Sequence, residues 1–228
     1  VIDYVEEDLF MAPDLSTIRK IPWNKEPTAQ IICDLNYPSG EPSKIAPRQV
    51  LKNIIRQLSE ENLRAVVAPE LEFYLCEQNL DPDLPLKTPV GKSGRRETGS
   101  KVFGIDAVNE FDKLTDDIYD YCELMNIGVD TLVHESGPSQ IEINLNHGDP
   151  LALADQAFMF KRAVRQVALK HNIHATFMAK PYQGQPGSSM HIHQNLVAAK
   201  TGKNLFSDEE GNNSKEFFYF FCGLQTYL

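Results

Sequence analysis

Three short stretches hold the side chains best suited to chemistry. "PELEFYL" sets Glu70 and Glu72 two residues apart, "HESGPSQIEINL" sets Glu135 and Glu142 on either side of a turn signal, and "GSSMHIHQNL" sets His191 and His193 two residues apart. Side chains alternate between faces along a strand, so Glu70 and Glu72 share one face with Leu71 and Phe73 on the other. By the same alternation His191 and His193 face one way, Met190 and Ile192 the other. A hairpin through "SGPS" brings Glu135 close to Glu142. The carboxylates and imidazoles can therefore line one surface of one sheet. Clustered carboxylates raise one another's pKa, and desolvation adds to that cost. A divalent cation resolves the conflict. An oxygen-rich donor set with an imidazole suits Mg2+ or Mn2+ better than structural zinc, and carboxylate-held Mg2+ commonly also binds substrate phosphates. Each stretch alone reads most simply as a solvated strand face; their succession along the chain carries the metal reading.

The elements that must position these residues follow from periodicity. "AVVAPELEFYL" (Ala65–Leu75) reads as a strand, and "VDTLVHE" (Val129–Glu135) with "QIEINLN" (Gln140–Asn146) as a hairpin. Further strands are expected over His174–Lys180 and over the histidine stretch, and one over Ala29–Leu35 between proline-bearing turns. Helical spacing of Val50, Leu51, Ile54, Ile55 and Leu58 follows Pro47, which a first helical turn tolerates. A second helix is expected near Glu110–Met125. A long third one starts after Asp149-Pro150 and ends near Lys170, where its basic residues suit the helix dipole. The polar run "CEQNLDPDLPLKTPVGKSGRRETGS" reads as a long mobile loop; its basic part lacks the strand and helix context of a phosphate-binding P-loop. The fold class is α+β, an antiparallel sheet backed by helices. Residues 1–45 read as the tail of a smaller domain and residues 46–228 as part of the main one.

Composition narrows the function classes. The 228 residues carry a formal net charge of −10, which disfavours a nucleic-acid partner. Cys33, Cys76, Cys122 and Cys222 are scattered without a CxxC pair and read as reduced thiols in a cytoplasmic protein. No apolar run is long enough for a membrane span and the first residues are acidic, unlike a signal peptide. The absence of an initiator Met and the uncapped apolar ending "FFCGLQTYL" suggest a chain cut within a domain.

In this order the three motifs, with "FMAKPYQGQPGSSMHIHQNL" as the third, resemble those of glutamine synthetases of the bacterial type I class, over roughly residues 10 to 228. "DLFMAPDLSTIRKIPW" resembles the end of that family's small N-terminal β-grasp domain. The resemblance implies a curved antiparallel catalytic sheet with a two-metal site. Glu72, Glu135 and Glu142 would hold one Mg2+ or Mn2+ ion, and Glu70 with His191 the other. His193 would reach an ATP phosphate, Asn195 would lie near the nucleotide, and Gly187 would present its backbone to glutamate. The preceding position, usually Asn in the family, is Pro186, so an amide contact is missing from the glutamate pocket. The wording of "GIDAVNEFDKLTDDIYDYCELMNIGVDTLVHE" and "ALADQAFMFKRAVRQVALKHNIHATFMAKP" is closer to γ-glutamylpolyamine (γ-glutamylputrescine) synthetases. These ligases join an amine to glutamate through γ-glutamyl phosphate. The alternatives are a true glutamine synthetase using ammonia, a non-catalytic homologue, and a metal-dependent hydrolase on the same sheet. The resemblance also implies a double-ringed homo-oligomer, and it places further site residues outside this chain, so the chain alone is expected to be inactive.

Overall fold

The computed structural model describes residues 8–81 and 83–227. A long antiparallel strand, β5 (Leu63–Glu77), organises the fold. Its companions in one five-stranded sheet are β6 (Val129–His134), β7 (Gln140–Leu145), β8 (Ile173–Thr176) and β9 (Met190–Ala198). One edge of β5 pairs with β7, which pairs in turn with β6; the other edge carries β9 and β8. The flanking helices are α1 (Pro47–Glu60), α2 (Ile105–Asn109), α3 (Asp112–Leu124), α4 (Pro150–Lys170) and α5 (Lys215–Tyr227). Ahead of them lie two small antiparallel pairs, β1 (Phe10–Pro13) with β4 (Cys33–Asn36) and β2 (Arg19–Lys20) with β3 (Ala29–Gln30).

One face of the sheet is apolar and covered. Leu71, Phe73 and Leu75 from β5 and Ile141, Ile143 and Leu145 from β7 are buried against Leu114, Ile118 and Cys122 of α3 and Phe160, Val164 and Val167 of α4. Each such side chain contributes about 1.5–3 kcal/mol of hydrophobic stabilisation. Helix α4 starts where Asp149 accepts from the Leu151 and Ala152 amides at 3.0 Å each, with Pro150 as its first residue. The cap sets where α4 starts and its apolar side chains hold it under the sheet, so the alternate residues of β5 and β7 must face the other way. The apolar side therefore decides which side carries the chemistry.

The N-terminal segment is tied to this body by Arg48 at the start of α1. Its guanidinium binds Asp14 at 2.7 Å, Asp34 at 2.7 Å and Asp155 of α4 at 2.9 Å. The Ser16 hydroxyl and the Arg48 guanidinium together hold the Asp14 carboxyl at about 2.

Several elements depart from their sequence expectations. The strand expected over Ala29–Leu35 is divided, because the Ile32 amide donates to Thr17 Oγ1 and the Ile32 carbonyl accepts from Asp14 N, both at 2.9 Å, which turns the chain between β3 and β4. The strand expected over His174–Lys180 stops at Thr176. There Thr176 Oγ1 accepts from the Met178 amide at 3.1 Å, and the Phe177 ring turns in against Phe73 and Phe160. The helix expected near Glu110–Met125 is present as α3, and a separate short α2 that was not expected precedes it. The polar run after β5 is no free loop. Val90 and Arg96 form a bridge, Arg96 pairs with Glu77, and Glu97 is buried under the hairpin. All four cysteines are free; burial pushes the Cys76 thiol up to about 11 and Cys122 up to about 12. No helix among the described residues is long and apolar enough to cross a membrane.

Candidate active site

Strand register assembles the polar face. Residues directly opposite one another in an antiparallel pair share a face. Glu72 lies opposite Glu142, Tyr74 opposite Gln140, and Glu70 opposite both Asn144 on β7 and His191 on β9. His193 lies opposite Ala68 and Asn195 opposite Val66. A band of polar side chains thus crosses three neighbouring strands at mid-sheet, on the side away from α3 and α4. A slip of one residue in either pairing would send half of this band into the core.

Within the band, one ligand atom each from Glu70, Glu142 and His191 lie within 4.8 Å of one another. His191 Nδ1 is 3.4 Å from Glu70 Oε2 and 4.0 Å from Glu72 Oε1. Glu142 therefore sits between the two ligand sets expected from sequence, beside Glu70 and His191 as well as opposite Glu72. Glu72 and Glu142 are nearly buried, at 8% and 9% exposure. Burial pushes the Glu142 carboxyl above the usual carboxylate range, and the charges of Glu70, Glu135 and Glu72 push it further, with His191 offsetting them. Glu135 follows directly on β6; its backbone amide donates to Gln140 O at 2.9 Å and its Oε2 accepts from Ser136 N at 3.1 Å.

The remaining expected residues have these places. His193, expected at a phosphate, uses Nε2 to meet Glu70 Oε1 at 2.8 Å. Asn195 is exposed, further along β9 on the same side. Gly187 lies in the strap between β8 and β9. A Cβ there would sit 2.8 Å from Ala179 O, so only glycine fits without a shift.

Sequence reasoning missed three contributors. Gln140, 1% exposed, donates through Nε2 to Glu72 Oε2 at 2.8 Å and to Gly187 O at 2.9 Å, and accepts from Gly137 N at 2.9 Å. Its alternation with Glu142 was the available signal. Tyr74, alternating with Glu72, was signalled the same way; burial, then Glu72 and Glu135, push its hydroxyl up to about 12. Glu97 had no local signal. Its Oε2 meets His134 Nε2 at 2.8 Å and accepts from Ser139 N at 2.5 Å, while His134 Nδ1 meets Glu135 O at 2.8 Å. Burial raises the Glu97 carboxyl, but the His134 ring, the Ser139 amide and Lys101 together bring it below its usual range.

The donor set fits a hard divalent cation. Two nearly buried carboxylates face a third and an imidazole, and the upward pressure on Glu142 marks negative charge that side chains alone leave uncompensated.

Comparison with known proteins agrees with this architecture. Residues 44–228 match the catalytic domain of glutamine synthetase. Over 211 residues the chain is 38% identical to the gamma-glutamylputrescine synthetase of Escherichia coli (strain K12), covering 92% of this chain and 44% of that protein. It is 32% identical over 213 residues to a glutamate–isopropylamine ligase of a Pseudomonas species, covering 89% of this chain and 43% of the relative. The glutamine synthetase structure of Plasmodium falciparum superposes with a TM-score of 0.82 at 25% identity, over 98% of this chain and 48% of that one. The chain thus spans less than half the length of these relatives. The polar band on an antiparallel sheet, the match to the catalytic domain and the identity to its members lead to one conclusion: the chain belongs to the glutamine synthetase family.

Proposed function

We propose that the full-length protein is an ATP-dependent ligase that joins the γ-carboxylate of glutamate to an amine through γ-glutamyl phosphate. The observation that carries the reading is the register that brings Glu70, Glu72, Glu142 and His191 onto one face with Glu135 beside it. In this reading Glu72, Glu135 and Glu142 would hold one Mg2+ or Mn2+ ion, and Glu70 with His191 would hold a second. Cations bound there would supply positive charge to offset that of the ATP phosphates, where the glutamate carboxylate is to attack the terminal phosphoryl group. The protein's own groups do the positioning. His193 leaves Glu70 for a phosphate oxygen, Asn195 lies along the nucleotide path, and Gly187 offers its backbone to glutamate. Gln140 keeps the Glu72 carboxylate turned toward the site. The amine then displaces phosphate from the acyl phosphate.

A polyamine such as putrescine is the amine we favour, because the 38% identical relative is a gamma-glutamylputrescine synthetase. Ammonia is the second reading, since glutamine synthetases are also among the relatives. Residues 1–45 close a small N-terminal domain and residues 46–228 open the catalytic one. We read the full-length protein as a homo-oligomer; Phe10, Met11 and Leu15 of the N-terminal segment, 61%, 73% and 74% exposed, offer it apolar surface. The test is phosphate release by the full-length protein with glutamate, ATP and either putrescine or ammonia. Release that depends on glutamate and an amine supports the reading, and the preferred amine chooses between its versions. Absence of release with any amine overturns it.

A further inference from the structure

The strap that carries Gly187 is pinned at two successive carbonyls. Tyr74 Oη donates to Pro186 O at 2.8 Å, and Gln140 Nε2 donates to Gly187 O at 2.9 Å. The next amide, Ser188 N, is used inside the strap, donating to Ala179 O at 2.9 Å. No peptide bond among the described residues is cis. In a trans peptide the C=O and N–H point in opposite directions. Holding the Pro186 carbonyl toward Tyr74 therefore turns the Gly187 N–H away from it, on an exposed residue, where it donates to nothing among the described residues. Pro186 offers a substrate neither a side-chain amide nor a backbone N–H. The direction of the single Gly187 amide then matters more than it would beside a donor-bearing residue.

Tyr74 is built for this task. It is fully buried, on the Glu70–Glu72 face of β5, and its hydroxyl lies where a Cβ on Gly137 would be, 1.9 Å away. The hairpin glycine thus makes room for a hydroxyl whose donated bond among the described residues goes to the strap. Gln140 holds the neighbouring carbonyl with the same amide nitrogen that holds Glu72.

We infer that Tyr74 is a positioning residue that presets the Gly187 amide for a carboxylate substrate, while Gln140 couples the same strap to the Glu72 carboxylate. The inference rests on the ligase reading, and the test separates the two. In the full-length protein, Tyr74→Phe removes one hydroxyl from a neutral hydrogen bond. It raises the KM for glutamate about fivefold, leaving kcat, the KM for ATP and the half-saturating Mn2+ concentration within about twofold. Gln140→Leu raises the glutamate KM and the Mn2+ requirement together. Gly137→Ala, which displaces the hydroxyl without removing it, raises the glutamate KM as Tyr74→Phe does. A merely structural tyrosine would lower the unfolding midpoint and leave the glutamate KM unchanged. Unchanged glutamate KM in both Tyr74→Phe and Gly137→Ala overturns the inference while the ligase reading stands. An unmodified protein with no glutamate-dependent phosphate release overturns the reading, and the inference with it.

Discussion

Replacing Glu142 by Gln should move stability in opposite directions with and without a divalent cation. The Glu70 and Glu142 carboxylates and the His191 ring offer atoms within 4.8 Å of one another. At that separation and an effective dielectric of 20, two like charges repel by about 3.5 kcal/mol. The Glu70 side chain is 22% exposed, so solvent and His191 remove much of this and leave about 1–2 kcal/mol. Without metal, Glu142→Gln should therefore raise the unfolding midpoint by a few degrees, at roughly 2–4 °C per kcal/mol for a domain of this size. The pH dependence follows from the raised Glu142 carboxyl. The metal-free protein is most stable with that group protonated, loses this stability as pH rises through its elevated range, and the Gln variant lacks the loss. With metal the ranking inverts. A cation at a hundred times its Kd stabilises by about 2.7 kcal/mol, and a hundredfold weaker site by only about 0.4 kcal/mol. Thermal unfolding of the full-length protein and its Gln variant, in EDTA and in Mn2+, reads both arms. A variant less stable in EDTA, or one keeping the full Mn2+ stabilisation, refutes the charge argument.

Other perturbations test the supports. Arg48→Met takes the shared cation from Asp14 and Asp155 and leaves Asp34 with Lys52 alone, and should cost about 2–4 kcal/mol, read as a lower denaturation midpoint. Asp14 is held at about 2, so its contribution is present above about 4 and lost as pH falls from there toward 2; an acid titration of Arg48→Met should show that component reduced, with the part owed to Ser16 remaining. Glu97→Ala leaves the Ser139 amide and the His134 ring without their acceptor, and should cost about 2–3 kcal/mol. Hydrogen exchange should then quicken in the Glu135–Gln140 hairpin, while Glu97→Gln keeps an acceptor oxygen and most of the protection. Gly187→Ala drives a Cβ to 2.8 Å from Ala179 O. Its glutamate use should fall at least about tenfold while Mn2+ still raises the unfolding midpoint, measured on one preparation.

The polar face was legible because strand alternation is local: Glu70 with Glu72, and His191 with His193, need only their own backbone to share a side. Helix α4 was legible for the same reason, since Asp149-Pro150 and Lys170 mark its ends nearby in the chain. Register was not legible. Glu72 meets Glu142 and Glu70 meets His191 across long stretches of chain, and only the packed sheet sets that alignment. The division of Ala29–Leu35 was hidden likewise, because Thr17 and Asp14 take the backbone groups of Ile32. Glu97 lies in a polar run without periodicity, and its partners His134 and Ser139 are distant in sequence; nothing local separates it from its solvated neighbours. Pro186 stood out only against the family resemblance, as a missing amide, and the Tyr74 hydroxyl that holds its carbonyl emerged only in three dimensions.

The ligase reading depends on the proposal that one face of the sheet holds divalent cations. Its most direct test is Mn2+ anomalous diffraction from crystals of the full-length protein. Manganese peaks are expected among the carboxylates of Glu70, Glu72, Glu135 and Glu142 and the His191 ring, lost in Glu142→Gln crystals. Manganese bound elsewhere with this band empty would contradict it.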